Sequence, residues 1–406
     1  MQTTIVARRA AALLAASLML AGCTTAVSGT AGPVDHTAPP EMVLRQQPGS
    51  GSPSRFSGVP AYDACSVLPL DVVVKSGFSF DVGLDATNTV KSARLTENAE
   101  DDPNSHSANP AIGLSQCQYP GQHSLRLTFT IYQAPFDAPE SQAARERSLR
   151  QEGAKDGEAA GFRTLSVAHT DTVRSEYTMI FAPGFSATLE LLLGTGPTPL
   201  GLGARLVEQA AQRLRAAPAG PSTYSYDGEF AQVPPPCEIF QTADFTDGLG
   251  LATDGRPVEG HGLARSHTAP DGSPGQRETF EVLTSCRRET QSSANWRVGG
   301  TPAQSVDVGF TTYQTADMAV QANDHDCARG KGYRHPFGEP IEVGLVVGDG
   351  LTCVINMGHT VSPLTFISGK TKVEIGVFWV ANLDDATASR VYSMVAKAVA
   401  ARLAGR

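Results

Sequence analysis

The sequence predicts an α+β fold made of two tandem antiparallel sheets flanked by helices, and three observations predict it. Two long segments on either side of a proline-rich stretch repeat one order of cysteine, strand and helix. Their strand segments alternate apolar and polar residues with a period of two, as a sheet with one buried face requires. Each segment also closes on an amphipathic helix.

The elements follow in order. Each repeat opens with a cysteine in a short apolar, helix-like stretch, Asp63-Ala64-Cys65-Ser66-Val67-Leu68 and then Pro235-Pro236-Cys237-Glu238-Ile239-Phe240. About fifty residues later come Cys117 and Cys286, each at the edge of a strand-like run. Next, Leu125 to Gln133 is matched by Val306 to Gln314, with a shared Phe-Thr-x-Tyr-Gln ending. Leu125, Leu127 and Phe129 align there with Val306, Val308 and Phe310, and period-two spacing puts each trio on one buried face. A helix follows in both halves, over Ser141 to Glu152 with Asp137 and Glu140 at capping-box spacing, and over Ala316 to Cys327. Further strands are expected at Val173 to Phe181 and Ala187 to Leu193, and at Ile341 to Val347, Leu351 to Met357 and Val373 to Val380. Leu206, Val207, Ala210, Ala211 and Leu214 form the stripe of the first closing helix. Val391, Met394, Val395, Ala398, Val399 and Leu403 form that of the second.

The first α+β repeat is placed at 61–217 and the second at 237–406, joined by a linker over 218–236, and each is expected to carry its own core. The duplication also pairs the cysteines: Cys65 with Cys117, Cys237 with Cys286, and Cys327 with Cys353 as an extra staple in the second half. A disulfide closing a loop of about fifty residues contributes up to ~4 kcal/mol on the chain-entropy model.

The N-terminal segment supplies an address. Arg8 and Arg9 precede an apolar run, Ala10 to Leu20, too short to span a bilayer, and Leu20-Ala21-Gly22-Cys23 follows. This resembles a bacterial lipobox. It implies a signal peptide over 1–22, removed on export, and an acylated Cys23 that anchors the chain to the outer face of the cell membrane. Residues 23–60, rich in Pro, Gly, Ser and Thr, read as a flexible tether with a reach of roughly 35 Å.

Removing the leader takes away two arginines and no acid, leaving 30 basic against 41 acidic residues. A surface of that sign repels phosphate backbones, so nucleic acid is excluded as a partner, and membrane contact is assigned to the lipid.

Taken together, the lipobox, the Thr24-Thr-Ala-Val-Ser-Gly-Thr30 start, the polar tether and the Cys-x-[Leu/Val/Ile]-[Leu/Phe] helices with a partner cysteine about fifty residues on resemble the actinobacterial, mycobacterial-type cell-envelope lipoproteins of unknown function. The resemblance covers most of 61–406 and implies tandem Mog1/PsbP-like domains, each an α/β/α sandwich. It carries no catalytic residues. The tryptophan frequent two residues after the second cysteine is replaced by Tyr119 and Arg288.

No segment assembles into a catalytic or metal site. Gly184-Phe-Ser186-Ala-Thr188 lacks the second glycine of a nucleophile elbow and reads as a turn between strands. Gly194-Thr-Gly196 and Gly248-Leu-Gly250 have no Walker lysine and read as loops. Asp324-His-Asp-Cys327 offers ligand types, but adjacent helical residues diverge, and Glu97 to Asp102 lacks the glycine and closing glutamate of an EF-hand. No cofactor or metal is therefore expected. Trp379 reads as core, whereas Trp296, in a polar insertion absent from the first repeat, is a candidate contact for a partner or sugar, a lid on its own domain being the equal alternative.

The expected function is that of an exported, lipid-anchored envelope lipoprotein, binding a small apolar ligand such as a lipid, or an envelope protein, without enzymatic activity. The alternatives are an envelope-assembly scaffold without a pocket and, third, an envelope hydrolase.

Overall fold

A computed structural model describes residues 44–53, 55–56, 59–80, 90–94, 115–133, 137, 139–170, 174–268, 274–290, 304–332, 345–354, 363–378 and 385–406. In the first repeat, β1 (Arg45–Gln47) and the two-strand ladder β2 (Arg55–Phe56) and β3 (Val59–Pro60) precede helices α1 (Ala64–Val67) and α2 (Leu70–Lys75). Strands β4 (Val90–Arg94), β5 (Ser115–Pro120) and β6 (Arg126–Gln133) follow, then helix α3 (Pro139–Gln151). A meander of β7 (Lys155–Ala159), β8 (Phe162–His169), β9 (Ser175–Ala182) and β10 (Phe185–Leu192) leads to α4 (Leu202–Leu214) and the short β11 (Thr223–Ser225). The second repeat contains α5 (Pro236–Ile239), α6 (Thr242–Leu249), β12 (Val258–Thr268), β13 (Pro274–Glu289) and β14 (Ser305–Tyr313). It ends with α7 (Ala316–Gly332), β15 (Cys353–Val354), β16 (Leu364–Ser368), β17 (Thr371–Phe378) and α8 (Asp385–Ala404).

The fold is α+β with two antiparallel arrays, as the repeat pattern predicts. The arrays also meet edge to edge. Among the described residues thirteen strands run in the order β15-β16-β17-β14-β13-β12-β4-β5-β6-β10-β9-β8-β7. The seam is the antiparallel pair β4–β12, with Val258 opposite Ala93 and His261 opposite Val90. Since β4 and β12 are equivalent strands of the two repeats, their antiparallel pairing relates the arrays by an approximate two-fold through the seam.

On the inner face, α1 packs against β4 to β6 and α4 against β7 and β9, while α5 packs against β12 and β13 and α8 against β16 and β17. Leu127, Phe129, Ile131 and Leu189 alternate into the first core against Leu206, Ala210 and Leu214. Val308, Ile375 and Val377 do the same in the second core against Val391, Val395 and Val399. The first core also takes in Leu263, Phe280 and Val282 of the β12–β13 hairpin, so it is not built from one repeat alone.

At the seam this face is closed by the segments read as tether and linker. Strand β1 pairs with β11, and buried Gln46 donates to the Cys65 carbonyl at 2.9 Å and to Ser222 Oγ at 3.1 Å. Tyr224 stacks on His261 with ring centroids 3.8 Å apart, and Tyr226 Oη lies 3.3 Å from His261 Nδ1. Part of the segment read as tether therefore belongs to the fold: β1 pairs with β11, and Leu44 just before it packs into the first core.

The three disulfides join Cys65–Cys117, Cys237–Cys286 and Cys327–Cys353. The first two tie α1 to β5 and α5 to β13. Counted from these bridges, Phe129 lies opposite Cys117 but Val308 lies opposite Cys286. The shared Phe-Thr-x-Tyr-Gln run is thus offset by two residues, one strand period, and every side chain keeps its face.

Several local expectations change. Asp137 does not cap α3, which begins at Pro139; its carboxylate turns to Arg145 at 2.5 Å. Met394 is exposed, and Tyr392 and Ala396 take its place in the buried stripe. Gly248 lies inside α6 against Val391 and Val395, and Gly250, at φ 72°, ends that helix by donating to the Thr246 carbonyl. Strands β7, β8 and β16 were not expected, and Leu345 to Val347 form none. Among the described residues no helix is long and apolar enough to cross a membrane.

Candidate binding face

The two arrays share an outer face, with α3 over β8 at one end and α7 over β14 to β17 at the other. Leu149 of α3 packs on Leu165, Met179 and Phe181, and Ala319 and Ala322 of α7 pack near Tyr313 and Ile367. Between them the inner-face residues of β5 and β13 are buried and the alternating outer-face residues are half-buried.

One register row crosses the whole middle. It runs through Tyr177, Glu190, Thr128, Gln118 and Lys91 in the first array, then Gly260, Ser285, Gly309 and Glu374 in the second. The next row carries Thr188, Thr130 and Gln116 on one side and Val258, Arg287, Asp307 and Gly376 on the other. This floor is polar. The rows exist as continuous lines only because β4 pairs with β12.

In the first array the polar groups are chained. Gln118 Nε2 donates to Gln116 Oε1 at 3.2 Å, and Gln116 Nε2 donates to Thr130 Oγ1 at 3.1 Å. Beyond them Arg145 binds Asp137 and lies over the Tyr132 ring, 4.0 Å from its centroid. Burial raises the Tyr132 hydroxyl above the ordinary tyrosine range, against the pull of Arg145.

In the second array, small residues occupy this row on three adjacent strands. Gly260 is buried, and Ser285 and Gly309 are half-buried. A Cβ built on Gly309 would meet nothing among the described residues closer than 3.9 Å. Charged groups flank these small residues. Arg287 bonds Glu289 at 3.0 Å, and Glu374 bonds Lys372 at 2.8 Å, a lysine that also meets Asp326 at 2.6 Å. Asp307, directly opposite Arg287 across the strands, is pushed above the ordinary carboxylate range by burial; Arg287 and Lys91 pull it back, and Glu374 adds to the rise. Among the described residues, the buried Arg287 Nε has no hydrogen-bond partner. A floor of this kind offers donors and acceptors side by side, with little charge left over.

Residues singled out from sequence fall elsewhere. Cys23, Trp296, Trp379 and the Glu97 to Asp102 run lie outside the described residues. Cys65, Cys117, Cys237, Cys286, Cys327 and Cys353 are all bridged. Ser186 is buried in the strand after the Pro183–Gly184 turn, 3.4 Å from Arg145, and is not at an elbow. Asp326 is engaged by Lys372, and among the described residues no three His, Cys, Asp or Glu side chains stand together as a metal site. Gly194-Thr-Gly196 passes so close to His123 that a Cβ on Gly194 would overlap the His123 carbonyl. The floor residues Lys91, Gln116, Gln118, Arg287, Asp307, Gly309 and Glu374 were not found from sequence. Their signal was the polar half of the alternation in Ser115 to Pro120 and Ser305 to Tyr313, together with a glycine inside a strand.

Fold and face together describe a duplicated α+β module whose halves share one sheet. No protein family, curated protein or solved structure matches the chain.

Proposed function

We propose that this chain is an exported, lipid-anchored cell-envelope protein, akin to the actinobacterial lipoproteins it resembles, that binds a polar ligand without chemical transformation on the outer face shared by its repeats. The export reading is supported by Arg8, Arg9, the apolar run and Leu20 to Cys23, and by three disulfides, which persist in oxidising compartments. The binding reading rests on one observation above all, the seam at β4–β12, which turns two separate sheet faces into one polar floor. The amides, hydroxyls and charges of that floor favour a hydroxyl- or amide-rich ligand over the apolar one expected from sequence, since an apolar ligand would strip water from them without replacing their hydrogen bonds.

Two experiments test this. Cys23→Ala should release unacylated protein or strand the uncut precursor; a variant that stays membrane-bound at its mature mass removes the anchor from the reading. Native mass spectrometry of protein taken from its own envelope should show a polar ligand that is lost in Gln118→Leu. Retention of the ligand in that variant, or a co-purifying apolar lipid, would count against the face.

A further inference from the structure

We infer that the end of the first repeat formed by Val74, Pro197, Pro199 and Leu200 rests on the bilayer that holds the chain, with Leu200 entering the lipid. This rests on the lipid-anchor reading above and adds to it which part of the fold meets the membrane.

The starting point is Leu200, which is 96% exposed, more than any other large apolar side chain among the described residues. Single exposed leucines are ordinary, but this one is held in place and has apolar company. Arg205 donates to the Leu200 carbonyl at 2.7 Å and to the Ser76 carbonyl at 2.9 Å, which fastens the loop to the end of α2. The Thr195 N–H donates to the His123 carbonyl at 3.0 Å, and the Leu202 N–H to the Pro199 carbonyl at 3.1 Å. Gly201, at φ 70°, turns the chain into α4 directly behind the leucine. Bonds of this kind let the loop meet an apolar surface with few stranded polar groups. A Cβ on Gly77 would touch Pro199, and the Gly77 N–H donates to the Val74 carbonyl, so Val74, 47% exposed, borders the same surface. Pro197 and Pro199 are exposed as well.

Where the chain enters the fold selects the occupant. Gln46 of β1 accepts a hydrogen bond from the N–H of Leu70, the first residue of α2, at 2.7 Å. Val74 lies four residues further along that helix, about 6 Å at the helical rise. On the sequence reading 21 residues separate Cys23 from Leu44, a coil reach of roughly 25 Å. The lipid therefore holds this end of the first repeat near the bilayer, at an effective concentration on the order of millimolar, so a weak contact suffices. Basic groups flank the tip. Arg205 and Arg174, the latter donating to the Gly194 carbonyl at 3.1 Å, meet carbonyls and no carboxylate among the described residues, and Lys75 is exposed. Of the acids nearby, Asp71 is bound by Lys75 and Glu176 lies against Gly203. The arginines are thus open to anionic head groups, although the chain as a whole carries 41 acidic against 32 basic residues. Helices α2 and α4 pack into the inner-face core, so this contact leaves the polar outer face uncovered.

The test uses the full acylated chain in vesicles of phosphatidylcholine and phosphatidylglycerol, with and without bromine on the acyl chains, which quenches tryptophan on contact. Leu200→Trp keeps the tip apolar, and its added emission should be blue-shifted and quenched at least twofold. Val74→Trp should be quenched less, and serves if the first variant does not fold. Val346→Trp, at an 86% exposed position of the second repeat, should show no quenching. Each is read against the wild-type emission of Trp296 and Trp379. Water-like emission from Leu200→Trp and Val74→Trp, in protein that floats with the vesicles, overturns the docking and leaves the anchor standing. A blue shift in Leu200→Trp without bromine quenching assigns the tip to a protein surface and overturns the docking as well, as does equal quenching of Leu200→Trp and Val346→Trp. Protein that does not float with the vesicles overturns the anchor, and the docking with it.

Discussion

Tyr119 and Arg288 hold the same place in the two repeats, two residues after the second cysteine, and they perform the same task with different chemistry. Tyr119 donates to the Leu68 carbonyl at 2.6 Å, and Arg288 Nε donates to the Phe240 carbonyl at 3.1 Å. Leu68 and Phe240 close the opening helices, whose last carbonyls have no partner within the helix. What the position needs is a donor that reaches a helix end, and tyrosine and arginine both supply one. Tyr119→Phe should cost about 1 kcal/mol, the net value of a buried hydrogen bond, read as a lower midpoint in urea. Asp307 behaves in the opposite way. Its folded carboxyl titrates above its unfolded value, so the native state holds more protons between the two, and stability falls as pH rises through that window. Asp307→Asn should leave stability close to that of the wild type in acid, where the carboxyl is protonated in both states, and raise it at neutral pH, where the wild type bears a buried carboxylate. A thermal melt at both pH values checks the sign.

At the scale of elements, what the sequence disclosed depended on how many faces of a strand are covered. Strands β6 and β14 alternate because their outer faces are largely polar, and they were found with their buried faces correct. Strand β16 is buried on both sides, between α7 and α8, so Leu364 to Ile367 show no alternation and were missed. Strand β8 was hidden likewise, with Thr164 buried on the inner face and Leu165 under α3. Strand β7, Lys155–Ala159, is an edge strand with one buried residue and no apolar pattern to read. The cysteine pairs, by contrast, were legible because the duplication fixed them. Their contributions should differ with loop length. Replacing Cys65 and Cys117, 52 residues apart, should cost about 4 kcal/mol, and replacing Cys327 and Cys353, 26 apart, about 3.5 kcal/mol. The second pair should show its effect locally, as faster hydrogen exchange in α7, which it fastens to β15.

For the whole molecule, the decisive feature is the one least available to sequence reasoning, the pairing of β4 with β12 across some 165 residues. Nothing local specifies it. Both strands have partners within their own array, and the seam uses edges that a single repeat would leave open. An open edge is a liability that proteins cover or pair, and here each repeat covers the other. Duplication thereby creates the candidate site, because the polar row from Tyr177 to Glu374 has no continuity in either half alone. This changes what cleavage in the 218–236 segment should do. A fragment ending at residue 217 loses β11, the β12 partner of β4, and three core side chains, Leu263, Phe280 and Val282. Loss of three buried apolar side chains removes about 1.5–3 kcal/mol each, comparable in sum with the whole stability of many domains. That fragment should be poorly folded or self-associate through its β4 edge. The second half keeps its own core around Val308, Ile375 and Val395 and should fold, with β12 exposed and a tendency to dimerise. Mixing the two should restore a monodisperse complex with native-like ellipticity if the seam carries the assembly. Two fragments that each stay monomeric and fully folded, and do not associate, would mean that the repeats are independent and that the shared face is a consequence of proximity alone.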